Sequence, residues 1–395
     1  MSAVLALAAW PAFVRGAAAP DPILRVTPAP LRDDALIRAQ TIAFEEKRVA
    51  ADATDQITPR LLAREYLQRY RERGDTGDVL RAEAMARASL RSQPYRNVAA
   101  RVELASALNT YHRFREALVQ IRLARRDAPD DPSLIAQEAS LDLEIGDIDA
   151  ARPLIHRIGD GANPQSEVVT SRLYEITGRL ADARVLLNRA SHRADGLYEL
   201  PAERRAWYHV RLGEMAFNAG DTAAADAEER IALERAPEQF QALTDLARFA
   251  AARRDWPAAR DAAARAAAVR PNPENLGILA DAADALHDVP AATRARDEID
   301  AVRHIGNAQH LYDRFLALYD ADHGVALTEA YAIARREITI RHDPYAEDTL
   351  AWAAAKSGRW AEAATAAARA ARYGTEDTRL RAHAAYIAHL SGTAR

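Results

Sequence analysis

A recurring alanine constrains the fold of this sequence more than any other feature. It returns at spacings of 34, 32, 42, 34, 33 and 71 residues, the last being about two units. The seven positions are Ala117, Ala151, Ala183, Ala225, Ala259, Ala292 and Ala363. A recurrence near 34 residues is typical of proteins built from stacked helical hairpins. The sequence therefore predicts a solenoid with one continuous core and one long concave surface suited to holding another molecule.

The composition favours helices along the whole chain. Helix-forming Ala, Leu, Arg and Glu dominate the 395 residues, and no stretch alternates as a half-buried strand would. The 16 glycines and 18 prolines fall mostly between the periodic segments, where they end helices. We therefore expect an all-α chain, arranged as one extended array rather than as several globular domains.

Charge and cysteine content exclude several classes of function. A net charge of −4 gives no basic excess of the kind that binding to nucleic acid or to an anionic membrane usually leaves. The absence of cysteine excludes disulfides, zinc–thiolate sites and thiol catalysis. Lysine occurs only at Lys47 and Lys356, so nearly all positive charge is arginine. Arginine suits carboxylate or phosphate partners, although a compositional bias of the genome explains the same pattern and is the interpretation we favour.

The N-terminus allows two interpretations. An apolar run at residues 3–14 is followed by Gly16-Ala17-Ala18-Ala19, which resembles a signal-peptidase site. The run is too short to span a bilayer. No basic residue precedes it, and Pro20 directly after the cleavage position is unfavourable. We favour an exported protein whose residues 1–19 are removed, and a cytoplasmic chain with an apolar start stays the alternative.

The pattern of helices and breaks divides the chain into six segments. These are a candidate signal peptide at 1–19, a Pro-rich linker and leading helix at 20–56, an N-terminal array at 57–191, an irregular joint at 192–204, a C-terminal array at 205–375, and a capping helix and tail at 376–395. Residues 306–343 lack the small residues in register, so the repeat boundaries there stay open.

Three units share a Leu-small dipeptide, a central alanine, a second alanine and a closing proline. They are Leu212-Gly213, Ala225, Ala232 and Pro237; Leu246-Ala247, Ala259, Ala266 and Pro271; and Leu104-Ala105, Ala117, Ala124 and Pro129. This pattern resembles the tetratricopeptide (TPR) repeat. The resemblance implies a right-handed superhelix of about eight or nine hairpins over residues 57–375.

The C-terminal end carries a second resemblance. Its residues are Asp343-Pro344-Tyr345, Leu350-Ala351-Trp352, Gly358-Arg359-Trp360 and Tyr373-Gly374-Thr375. This block is similar to the end of bacterial multi-TPR proteins of unassigned function, which often carry an export signal. The resemblance implies a bacterial source and offers no chemistry.

The histidines do not form a metal-binding pattern. His383 and His389 are six residues apart, which places them on different faces of a helix. His304, His310 and His323 lie in neighbouring segments without carboxylates at ligand spacing. We therefore expect no metal site and no cofactor.

Other candidate chemistry is equally sparse. Asp281, Asp284 and Asp288 share one helical stripe that could bind a basic peptide or Ca²⁺ weakly, although such a stripe is more often a solvated helix face. The sequence contains neither a phosphate-binding glycine loop after a strand nor a serine nucleophile motif. These observations predict a protein that is not an enzyme.

In TPR proteins the first helix of each hairpin lines the concave groove. Transferred position by position, the resemblance implies a partner-binding groove formed by Asn109, Arg172, Glu175, Trp207, Val210, Glu214, Phe217, Asn218, Gln241, Thr244, Arg248, Asp281, Asp284, Tyr345, Asp348 and Trp352, with Lys356 beside them. Trp207 and Trp352 are either anchors for a partner chain or core residues. The Lys/Asn arrangement by which some TPR domains bind a peptide's terminal carboxylate is missing.

The sequence thus predicts a non-catalytic scaffold that binds a protein or an extended peptide in the groove of a TPR solenoid. The favoured setting is the bacterial cell envelope. The alternative is a cytoplasmic adaptor or regulator that assembles an enzyme complex. Neither nucleic acid nor a cofactor is an expected partner, no membrane-spanning segment is expected once a signal is removed, and the oligomeric state stays open.

Overall fold

The computed structural model describes residues 34–159, 161, 163–197, 200–306 and 312–393. Within these ranges the chain forms twenty α-helices and no β-strand. None of these helices combines the length and the hydropathy needed to cross a membrane. The predicted signal peptide, most of the Pro-rich linker and His310 lie outside the described residues.

A leading helix is followed by nine helical hairpins and a final helix. Helix α1 covers Asp34–Ala51. The hairpins, numbered 1 to 9, are α2 (Ile57–Arg73) with α3 (Thr76–Ser92), α4 (Val98–Thr110) with α5 (Phe114–Asp127), α6 (Pro132–Ile145) with α7 (Ile148–Ile158), α8 (Pro164–Ile176) with α9 (Leu180–Asp195), α10 (Ala202–Asn218) with α11 (Thr222–Arg235), α12 (Phe240–Ala252) with α13 (Trp256–Val269), α14 (Pro273–Ala285) with α15 (Val289–Gly306), α16 (Asp313–His323) with α17 (Leu327–Glu337), and α18 (Pro344–Lys356) with α19 (Trp360–Ala371). Helix α20 covers Thr378–Thr393.

The turn inside a hairpin follows from a short local motif. In hairpin 3, Gly146 takes a left-handed backbone conformation (φ +83°), and the Asp147 side chain accepts a hydrogen bond of 3.0 Å from the Ala150 amide. Gly146 ends α6, and Asp147 caps α7. A capping hydrogen bond of this kind stabilises a helix by about 1 kcal/mol. Asp221 and Asp255 cap α11 and α13 in the same way.

The recurring alanines lie where the helices of neighbouring units approach each other. All seven are fully buried. Their small side chains permit close packing of the two helices, which confirms the interpretation of the repeat. In hairpin 8, where the sequence pattern is irregular, Ala330 takes this role: it is fully buried and lies 33 positions before Ala363.

The segment at residues 192–204 does not interrupt the core. Helix α9 continues to Asp195, and α10 starts at Ala202. Leu187 of α9 and Leu212 of α10 belong to one buried cluster, so the hairpins on both sides of this segment pack together.

Successive turns of the superhelix touch along three equivalent positions. Gly74 approaches Arg270, Gly146 approaches His342, and Gly178 approaches Gly374. The separation is 196 residues each time (74 to 270, 146 to 342, 178 to 374). In the second of these contacts, the His342 amide donates a hydrogen bond of 2.9 Å to the Ile145 carbonyl. We call these three positions the inter-turn contacts.

The inter-turn contacts define the pitch of the array. The turn of hairpin 1 meets the loop before hairpin 7, and the turn of hairpin 3 meets the loop before hairpin 9. The turn of hairpin 4 meets the loop before α20 in the same manner. Six hairpins therefore complete one turn, and the concave face becomes an inner wall.

Candidate partner-binding channel

The inner helices enclose two adjoining cavities of about 410 and 400 Å³. The first is lined mainly by α4, α6, α8 and α10. The second is lined by α2, α4, α10 and α12, and by second-turn residues such as Arg270 and Tyr312. The two cavities share Ser106, Asn109, Arg204 and Trp207, so we treat them as one channel. Each volume falls in the range of ligand-binding pockets.

Seven of the predicted groove residues line this channel. Trp207 is half-buried at the junction of the two cavities, where it meets the ring of Tyr208 edge-on with 5.3 Å between centroids. The seven are Asn109, Arg172, Glu175, Trp207, Glu214, Gln241 and Thr244. The sequence thus located part of the channel wall on four of the inner helices.

Other predicted groove residues are used in packing. Val210 is 2% exposed in the core. The ring of Phe217 stacks on Phe249 with 4.4 Å between centroids. Arg248 lies over both rings and pairs with Asp245 at 2.6 Å. Asn218 accepts hydrogen bonds from Thr378 at the start of α20, including one of 3.2 Å from its amide.

The predicted residues of hairpin 9 are covered by their neighbours. Arg172 lies 4.8 Å from the centre of the Tyr345 ring and donates a 3.1 Å hydrogen bond to its hydroxyl. Asp348 accepts a 3.0 Å bond from His383 of α20.

Trp352 stacks on the same His383 ring at 4.1 Å between centroids, and its Nε1 donates to Asp322 at 2.7 Å. Lys356 lies over the indole, 5.2 Å from its centre. Of the two roles considered for Trp352, the structure places it in the core.

The expected acidic stripe does not lie on one helix, because α14 ends at Ala285, before Asp288. None of the three aspartates lines the channel, and each carboxylate has a partner. Asp281 pairs with His323 at 2.8 Å and holds the pKa of that histidine above its ordinary value. Asp284 pairs with Arg296. Asp288 accepts a 3.1 Å bond from the Ala291 amide and caps α15. The three aspartates therefore serve local structure.

Charge in the first cavity is balanced by a network centred on Glu175. Arg211 donates to both of its oxygens at 2.7 and 2.9 Å, and Arg172 donates at 2.8 Å. Burial alone would raise the pKa of Glu175, but the two guanidinium groups lower it below the ordinary value. This carboxylate stays ionised and already has its partners.

Three polar side chains in the channel lack partners among the described residues, and the repeat pattern identified only Asn109 of them. The Asn109 Oδ1 is buried without a hydrogen bond. Gln137, which the pattern missed, is 6% exposed, and its Nε2 makes no hydrogen bond in the described part of the chain. Arg204, in both cavities, makes no hydrogen bond or ion pair with any residue that the structure describes. One sequence signal was available: Arg204 lies three residues before Trp207, on the same helix face.

The channel offers hydrogen-bond donors, acceptors and aromatic faces. In the part of the chain that the structure describes, no group of three or more His, Asp or Glu side chains is placed to hold a metal ion. What the arrangement can do chemically is bind a ligand with both polar and apolar parts.

Comparison with known proteins shows similarity in structure. Neither a protein-family model nor a curated protein matches the chain. The crystal structure of the APC/C hetero-tetramer Cut9-Hcn1 matches with a TM-score of 0.50 at 12% identity, over 90% of this chain and 59% of that chain. This chain therefore spans less than two thirds of the length of that one.

A dimer of human IFIT1 with PPP-AAAA matches with a TM-score of 0.52 at 16% identity, over 80% of this chain and 72% of that chain. PilW, titled a widely conserved type IV pilus biogenesis factor, matches with a TM-score of 0.35 at 18% identity, over 62% of this chain and 92% of that chain. Together with the nine hairpins, the first two similarities show that the chain folds as a right-handed TPR superhelix.

Proposed function

We propose that this protein is a non-catalytic scaffold that binds an extended segment of a partner protein in its channel. The observation that carries this proposal is the channel itself, which is enclosed by inner helices from two successive turns. The Asn109 side-chain carbonyl and the Gln137 side-chain NH₂, both without hydrogen bonds among the described residues, are complementary to the N–H and C=O groups of a peptide backbone. Trp207, which lines both cavities, supplies an aromatic surface beside these groups.

A peptide fits this lining better than a small metabolite does. The polar groups are spread over several helices instead of converging on one point, as a compact ligand would require. Cut9-Hcn1, which shares the fold, is by its title an assembly of proteins. IFIT1 was solved with PPP-AAAA, so an oligonucleotide is the competing ligand class, and the net charge of −4 disfavours it here.

We also propose that the protein works in the bacterial cell envelope. Support comes from the apolar run at 3–14 and the small residues at 16–19. A cytoplasmic adaptor that assembles an enzyme complex is the alternative, and the mature N-terminus of the protein isolated from its host distinguishes the two.

Site-specific photocrosslinking tests the channel in that host. A photoreactive amino acid replaces Gln241, which lines the channel, or Val185, which is 67% exposed on α9. We expect the Gln241 position alone to crosslink to one short segment of a partner, and a synthetic peptide of that segment to compete. Mass spectrometry of the same adduct gives the mature N-terminus. Equal adducts from both positions, or none from Gln241, would contradict the proposal.

A further inference from the structure

The carboxylates that line the second cavity all have polar partners, whereas one arginine in its lining, Arg204, has none among the described residues. Four carboxylates line the cavity, and each one has a polar partner. Glu203 accepts from Gln68 at 3.1 Å, Glu214 pairs with Arg211, Asp245 pairs with Arg248 at 2.6 Å, and Glu274 pairs with Arg379 at 3.4 Å. These four partners come from residues outside the cavity lining.

Two arginines, Arg71 and Arg204, line the second cavity together. Arg71 of α2 donates twice to the Gln68 Oε1, at 2.9 and 2.8 Å, and its nearest carboxylate, Glu203, is 4.0 Å away. Burial, and then the positive charge of Arg204, lower the pKa of Arg71 to about 10. Arg204 of α10 has no hydrogen-bond or ion-pair partner among the described residues. Arg204 is therefore a guanidinium group in the channel that no described carboxylate neutralises.

We propose that Arg204 and Arg71 form a carboxylate-binding position, and that the partner segment in the channel carries an acidic side chain there. Guanidinium groups bind carboxylates through paired, charge-assisted hydrogen bonds. Trp207 follows Arg204 by about one helical turn and packs against the neighbouring residue of the segment. The inference rests on the proposed function and specifies the chemistry of its partner.

The position of Arg204 favours an acidic side chain over a chain end. Arg204 lines both cavities, so there is space on either side of it for a peptide to continue. A nucleic acid fits less well, because its further phosphates would meet Glu203, Glu214, Asp245 and Glu274 in the same cavity.

Affinity selection tests this inference with the full chain. A mixture of short synthetic peptides of randomised sequence is incubated with the wild-type protein, with Arg204→Gln and with Arg152→Gln, and the bound peptides are sequenced by mass spectrometry. Arg152 is exposed on the outer helix α7 and is the matched control. Because Arg204 makes no hydrogen bond or ion pair with the described residues, we expect Arg204→Gln to keep the fold, which its melting temperature verifies.

We expect wild type and Arg152→Gln to enrich the same peptides, with Asp or Glu at one position. Changing that residue to Asn or Gln should weaken binding to wild type about tenfold and leave binding to Arg204→Gln unchanged. C-terminal amidation should have no effect. Loss of binding on amidation instead, or tighter binding of a 5′-triphosphorylated oligoadenylate, would overturn the inference.

The two levels of the proposal fail in different ways. Peptides that bind in the channel without any acidic preference overturn this inference and leave the proposed function standing. If neither protein nor variant selects any peptide, both the inference and the proposed function are wrong.

Discussion

Glu229 of α11 is a completely buried carboxyl group, and neither of its oxygens forms a hydrogen bond with a described residue. It points at Gly213 of α10, where any side chain would overlap its Oε1. Burial, and then the neighbouring Asp245, raise the pKa of Glu229 far above its ordinary value. The glycine of the Leu-Gly pair thus makes room for a carboxyl group that is protonated at neutral pH.

Replacing Glu229 with glutamine should stabilise the protein at alkaline pH. The pKa of Glu229 in the folded chain lies above the value of 4.5 expected when unfolded. As the pH rises past that value, the unfolded chain loses the proton while the folded chain keeps it, so stability falls. At about pH 8 we expect Glu229→Gln to raise Tm by about 2 °C or more, with little change near pH 4. Glu234→Gln, exposed on the same helix, is the control; an equal gain from it would refute the explanation.

Single residues show which details a sequence pattern can reveal. The seven alanines were identifiable because each is buried by its own hairpin and the next, an environment that repeats. Trp207 and Trp352 occupy related positions, yet only Trp352 is covered, by His383 of α20. Arg204 has no ion-pair partner among the described residues, and its place in the repeat does not indicate this. Contacts that occur once leave no periodic signal.

At the scale of elements, α20 closes the C-terminal end of the array. Leu380 and Ile387 are buried on its inner face. His383 lies between them, stacked on Trp352 and bonded to Asp348, which is 3% exposed. One imidazole therefore joins α20 to α18.

We expect His383→Ala to loosen α20 selectively. The substitution removes the ring that stacks on Trp352 and leaves Asp348 buried without its donor, at a cost of about 1–3 kcal/mol. Limited proteolysis should then cut the loop at residues 372–377 faster than in wild type, and Tm should fall. Arg381→Ala, exposed on the same helix, should behave as wild type. Unchanged cleavage in His383→Ala would show that packing elsewhere holds α20.

Helix limits were predictable where the chain carries local signals. The leading helix expected within residues 20–56 corresponds to α1, and Gly146 with the Asp147 cap ends one helix and starts the next in hairpin 3. Around 306–343, where the sequence left the repeat boundaries open, α16 and α17 have 11 residues each. Few strong caps occur there, so tertiary packing sets the helix ends.

At the scale of the whole molecule, the inter-turn contacts distinguish this array from an open solenoid. Gly146 and Gly220 have nearly the same left-handed backbone, with φ of +83° and +79°. A side chain at Gly146 would overlap the backbone of His342, whereas nothing lies within 4 Å of a side chain at Gly220. Substitutions at these two glycines therefore distinguish the effect of backbone strain from the effect of losing contact between turns.

Gly146→Ala should destabilise the protein more than Gly220→Ala and should expand it. Both substitutions cost about 1 kcal/mol of backbone strain, and only the first also forces the turns apart. We expect a lower Tm and a larger radius of gyration by X-ray scattering for Gly146→Ala, and unchanged dimensions for Gly220→Ala. Equal effects would mean that the inter-turn contacts contribute nothing to the closed form.

The sequence predicted a solenoid with a concave groove but gave no indication of the contacts between successive turns, and the reason is geometric. A period near 34 residues specifies the unit and its neighbours, whereas pitch depends on small rotations summed over six units. The separation of 196 residues between contacting positions could not be identified, because the residues that meet there differ: arginine, histidine and glycine. The channel therefore follows from an accumulated curvature that the repeat motif does not encode.

Six hairpins per turn also restrict how this gene can change in length. Repeat arrays commonly gain or lose units, because each unit contacts only its neighbours. Here, an extra hairpin inserted between α9 and α10 would shift the second turn of the superhelix by one hairpin relative to the first. Gly146 would then face a different loop from the one that contains His342. All three inter-turn contacts would be lost together. Keeping the closed form therefore requires keeping the number of repeats between the contacting positions.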